Sequence, residues 1–136
     1  MPMINYPAVL VAAIMYFMLG AVWYTVWSAK YIQLMGWTPE KLAQIQQQSV
    51  ALPYLVTFLT DILLAYALAR FIHYTKAMTA LEGVLTAFWL WLGFVVVTNL
   101  NTVVFEFRPL GLYLINTGYH LVGLTLMGAL LAVWKK

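Results

Sequence analysis

Residues 51 to 72 read ALPYLVTFLTDILLAYALARFI. At about 1.5 Å of helical rise per residue, this stretch covers the roughly 30 Å of hydrocarbon in a bilayer, so it is read as a membrane-spanning helix. Arg70 stands within a turn of one end and can extend to the headgroups. Asp61 has no such escape. It lies about ten residues from a polar boundary on either side, and its short side chain cannot cross about 15 Å of hydrocarbon, so it is expected to face the inside of a helical bundle.

Composition extends this reading to the whole chain. Hydrophobic residues make up 65% of the 136 residues and charged ones 8%. With a mean hydropathy of +0.88, such a chain would aggregate as a water-soluble domain. Three more stretches match the first in length and apolarity, giving spans at about 6–27, 51–72, 83–105 and 110–133. The predicted fold is all-α, a four-transmembrane-helix bundle forming a single membrane domain over 1–136. Nothing is left for a soluble domain. No basic region precedes the first apolar run, and that run is too long for a signal core, so a cleaved signal peptide is not expected. The absence of cysteine excludes disulfides, thiolate metal sites and cysteine nucleophiles.

An even number of spans puts both termini on one side. That side holds Arg70, Lys76, Lys135 and Lys136, and the opposite side Lys30, Lys41 and Arg108. The small excess favours cytoplasmic termini, and it also permits insertion in both orientations, as in antiparallel dimers. The net charge of +3 suits a protein facing anionic lipid and points to no nucleic-acid partner.

Between the first two spans, GWTPEKLAQIQQQ (36–48) has the signature of a short helix. Thr38 suits the cap, Pro39 the first turn and Glu40 the positive end of the dipole, while Trp37 and Leu42 occupy hydrophobic-staple positions. The segment is read as an interfacial helix over about 38–48, and an ordinary connecting helix would show the same pattern. FEFRP (105–109) leaves room only for a tight turn, so the last two spans form a hairpin with Pro109 in the first turn of the fourth.

Depth along each span then sorts the polar residues. Tyr16, Asp61 and His120 fall near the midplane with Gly93 and Phe94. Thr57, Asn99 and Asn116 form a second layer about 7 Å toward the side of the odd-numbered loops. Trp23, Tyr24, Asn101, Glu106 and Arg108 continue to that surface. The pattern suggests a polar recess opening on the odd-loop side and ending at Asp61. Tyr113, Asn116, His120, Gly123 and Met127 share one helical face, as do Thr57, Asp61 and Ala65. On the first span Ala8, Ala12, Tyr16, Gly20 and Trp23 combine rings with small residues that permit close packing.

The candidate binding residues are therefore Asp61, His120, Tyr16, Thr57, Asn99 and Asn116. Asp61 and His120 are expected to share one proton as a coupled pair. The competing structural reading is a protonated Asp61 bonded to Thr57, Tyr16 or a backbone carbonyl, serving only to lock helices. Glu106, Arg108 and Trp23 are candidates for the surface or gate of the recess, Glu106 and Arg108 also reading as a plain solvated ion pair. Trp89 and Trp91, in WLWLGF (89–94), lie deeper than an interfacial belt. They read as lipid-facing packing or as an aromatic wall. Two histidines without spaced acidic ligands make no metal motif, no phosphate loop is present, and no cofactor is expected.

The order of short elements along the chain resembles small bacterial membrane proteins grouped as domain of unknown function 1761 (DUF1761). It runs from Asn5 through Gly20, Ala21, Val22, Trp23 and Tyr24 to Met35 and Gly36. Glu82 and Gly83 follow, then Gly93 and Phe94, then Phe105 to Pro109. Tyr113, Asn116, Gly118, Tyr119, Met127 and Gly128 complete it. The resemblance implies a four-helix protein of the bacterial cytoplasmic membrane and brings no established activity. Three functions stay open: a small transporter or channel for a proton, cation or small solute; a non-catalytic lipid- or partner-binding membrane component; and a membrane enzyme acting on lipophilic substrates. The enzyme is least supported, since one acid and one histidine are a thin catalytic set. Transport through so small a bundle calls for a homo-oligomer.

Overall fold

The structure, a computed structural model, describes residues 4 to 135; Lys136, counted in the charge balance, lies outside the described residues. Among them the chain is helical throughout. Helix α1 spans Tyr6–Val26, α2 Ser28–Met35, α3 Pro39–Gln47 and α4 Ala51–Tyr74. Helix α5, Ala80–Leu90, passes into a π-helical segment at Trp91–Val96 and two short pieces, α6 (Val97–Asn99) and α7 (Asn101–Val104). The chain returns as α8, Leu110–Val133. Four helical stretches are long and apolar enough to cross a membrane: Tyr6–Val26, Ala51–Tyr74, Ala80–Val104 and Leu110–Val133.

Local chemistry fixes most of the helix starts. The Asn5 side chain accepts the Ala8 N–H at 3.1 Å, and Pro7 fits the first turn of α1. Thr38 accepts the Lys41 N–H at 3.2 Å to open α3. Thr79 and Glu82 form a capping box at α5, each side chain bonded to the other's backbone N–H. Pro109 stands at the cap of α8, one residue before the predicted first turn. The tight turn before it is closed by the Arg108 N–H donating to the Thr102 carbonyl at 2.9 Å, with Phe107 in the left-handed region at φ 55°.

Packing follows residue size. On α1, Leu10, Ile14, Met18, Val22 and Val26 repeat at steps of four and face outward, while Ala8, Ala12, Ala13 and Tyr16 are buried. Helix α8 is the most buried span and packs against α1, α4 and above all α5. In that hairpin Gly83 and Gly128 meet backbone to backbone: a Cβ on Gly128 would lie 2.4 Å from the Gly83 carbonyl oxygen, and one on Gly83 would lie 2.1 Å from that of Gly128. Ala87 and Ala132, each four residues further along its helix, complete the seam. Small residues let two backbones approach this closely where lipid supplies no hydrophobic drive between helices. In contrast, α4 and α5 barely touch, and an apolar groove of about 330 Å³ opens between Leu64, Leu68 and Phe71 on one side and Leu90, Phe94 and Leu124 on the other.

Two local features depart from a reading of straight spans. The first span breaks at Trp27, and the chain continues as α2 until Gly36, at φ 70°, ends it in the left-handed conformation. The third span is not a uniform α-helix. In its π-helical stretch, the Phe94, Val95 and Val96 carbonyls each accept a side-chain hydrogen bond, from Thr98, from Asn99 Nδ2 at 2.8 Å and from the Tyr113 hydroxyl at 2.7 Å. Those bonds supply partners for backbone groups in a bilayer depth that has no water to offer.

Candidate functional site

Asp61 is 6% exposed on the inward face of α4, followed along the same stripe by the buried Ala65, Leu68 and Ile72. Its Oδ2 is buried without a hydrogen-bond partner, and no ion pair joins Asp61 to His120 among the described residues. It shares the buried interior with Tyr16 and Tyr119, where α4 packs against α1 and α8.

Tyr16 occupies the centre of the bundle. Its ring lies over Gly123 of α8, where a Cβ would approach to 2.3 Å. Its hydroxyl is hydrogen-bonded to His120 Nδ1, and which atom donates follows the imidazole tautomer. Tyr119 packs on the same ring with centroids 4.8 Å apart and donates its hydroxyl to the Tyr16 carbonyl at 3.0 Å. His120 lies 5.1 Å from the Tyr119 ring centroid. The Asp61–His120 pair expected from depth is not formed among the described residues: the imidazole is bonded to Tyr16 instead, and Tyr16, Tyr119 and His120 cluster in the buried interior that also holds Asp61.

One turn nearer the odd-loop side, Asn116 Oδ1 accepts the Tyr24 hydroxyl at 2.7 Å, and the Tyr24 and Tyr119 rings stand 5.4 Å apart. Asn116 also lines a cavity of about 260 Å³ with Tyr31, Thr102, Glu106, Arg108 and Tyr113. At its rim Arg108 Nε and Glu106 Oε1 are 3.6 Å apart, both side chains well exposed. Polar groups therefore run from this rim through Asn116 and Tyr24 to the midplane cluster. Trp23 is held against α8, its ring over Gly118 and its Nε1–H donating to the Ile115 carbonyl at 3.0 Å.

A model of the protein family of unknown function DUF1761 matches residues 7–132. The chain belongs to the DUF1761 family. No curated protein and no solved structure matches it.

Two sequence-predicted residues stand apart from the cluster. Thr57 shares the helical face of Asp61, yet it is exposed, as are all of residues 51 to 57; Phe17 of α1 reaches this end of α4 and packs on Tyr54 and Phe58. Asn99 is also exposed and bonds the Val95 carbonyl. Asn99 was placed by depth alone, and depth does not say which face of its helix a residue stands on. Of the two deep tryptophans, Trp89 is exposed, whereas Trp91 donates its Nε1–H to the Thr117 carbonyl at 2.8 Å. Tyr119 belongs to the cluster and was not among the candidate site residues. Its signal lay in the facing helix, where Gly20 leaves room for its ring, with the Tyr119 hydroxyl 2.9 Å from a Cβ there.

Proposed function

We propose that this DUF1761 protein is a small transporter or channel in which Asp61 takes up and releases a proton, with Tyr16, His120 and Tyr119 as its immediate polar surroundings. The observation that supports this reading is the Asp61 oxygen without a partner. A carboxyl retained only to lock helices would be bonded to a neighbouring helix, since an unsatisfied polar atom at that depth costs several kcal/mol. Its three expected partners are otherwise placed: Thr57 is exposed, the Tyr16 hydroxyl bonds His120, and no backbone group bonds the acid among the described residues. An intramembrane acid held free inside a bundle is suited to a mobile charge.

The line of Asn116, Tyr24 and the Glu106–Arg108 rim offers a polar approach from the odd-loop side. Tyr16, Ile72 and Met127 fill the centre, so a single copy has no open pore along its axis, and a homo-oligomer completes the path. The membrane is the bacterial cytoplasmic one, with both termini inside. A small solute or cation moving with the proton belongs to the same reading.

Reconstitution tests it. Purified protein in liposomes containing a pH-sensitive dye, challenged with a pH gradient at clamped membrane potential, is expected to pass protons. Asp61→Asn, which keeps the side-chain volume, is expected to abolish that flux. Flux equal in the two proteins, or absent from both for protons and for monovalent cations, refutes the reading.

A further inference from the structure

A second cavity, of about 300 Å³, lies on the outer surface of the bundle at its odd-loop end, separate from the Asp61 cluster. Trp23, Trp27, Leu34, Leu114 and Ile115 form its walls, and Lys30 is its one charged lining residue. The cavity forms where α1 ends and α2 packs on α8, with Lys30 of α2 in its lining. Gly111 keeps it open on that side, since a Cβ there would already meet Leu34 Cδ1 at 3.0 Å. Trp23 contributes only its apolar ring, because its indole N–H is spent on the Ile115 carbonyl. The groove is thus graded, apolar where it descends along α8 and cationic where it reaches the membrane edge.

We infer that this groove is a binding site for one anionic phospholipid, its phosphate on the Lys30 ammonium and one acyl chain between Trp23 and Trp27 on one side and Leu114 and Ile115 on the other. Charge complementarity selects the occupant. Lys30 makes no ion pair among the described residues, while Glu106, at the same end of the bundle, is engaged by Arg108. A lysine near a membrane surface favours anionic lipid by about 1 kcal/mol, a factor of about five. A zwitterionic lipid would satisfy the walls and leave the ammonium opposite a net neutral headgroup.

The test is native mass spectrometry of the purified protein with equimolar phosphatidylglycerol and phosphatidylcholine of matched chains. The expected result is phosphatidylglycerol retained about five-fold over phosphatidylcholine. Lys30→Gln should erase the preference, and Lys41→Gln, which removes an equal charge from α3, should leave it intact. Leu114→Trp, at an exposed position, should fill the groove and lower retention of both lipids. The inference is overturned if the wild type shows no preference, if Lys30→Gln keeps it or Lys41→Gln loses it, or if Leu114→Trp has no effect. Displacement of the lipid by inorganic phosphate would overturn it too, marking a free-anion site.

Discussion

Gly123 faces the Tyr16 ring so closely that even a methyl group has no place: the nearest ring carbon would be 2.3 Å from it. Gly123→Ala is therefore expected to lower stability by about 1–3 kcal/mol, the usual range for overpacking a filled core, read as a lower midpoint of unfolding in detergent. Tyr16→Phe makes a gentler change. It keeps the ring and removes the bond to His120, for an expected loss of about 1 kcal/mol, within the range of interhelical hydrogen bonds in membranes. The two substitutions separate roles: Gly123→Ala should disturb assembly of the bundle, and Tyr16→Phe should alter proton flux while the protein remains folded. Asp61 was legible in the sequence because one acid in an apolar run has few places to go. Its surroundings were legible only in part. Helical phase assigned Asn116 and His120 to one face, but Thr57 has the right phase and stays exposed.

Among the helices, α5 and α8 form the tightest pair, and the reason is one residue type. Gly83 with Ala87 and Gly128 with Ala132 place small residues four apart on both members of the hairpin. Gly128→Leu would drive a branched side chain into the Gly83 backbone, and it is expected to cost about 3 kcal/mol or to prevent folding, seen as aggregation on size-exclusion chromatography. Gly93→Ala, at an exposed position with open space around it, should leave the elution profile unchanged. The length of each span followed from composition, and the hairpin from the brevity of FEFRP. Helix α2 and the π-turn after Leu90 did not. Both are set by what neighbouring helices offer, a face of α8 for α2 and the Thr117 carbonyl for Trp91, and no periodicity within one helix encodes its neighbours.

As a whole the molecule is arranged around α8, with α4 and the third span diverging on its flank. Exposed polar side chains lie on those diverging segments, Thr57 and Thr60 on α4 and Thr98, Asn99 and Asn101 on the third span. A second copy covering them would bury these groups away from lipid. Cysteine pairs introduced at Thr57 and Thr98 should therefore cross-link between copies in membranes, whereas a pair at the lipid-facing Leu10 and Ile14 should not. Equal cross-linking at both positions, or none at either, would remove the oligomer from the account. The proposed activity depends, however, on the chemical state of a single acid. Infrared difference spectra of the reconstituted protein across a pH titration, compared with Asp61→Asn, test it most directly. A protonated-carboxyl band that appears and disappears reversibly with pH, vanishes in Asp61→Asn and shifts in Tyr16→Phe is the predicted result. A band at Asp61 that never changes with pH would contradict it.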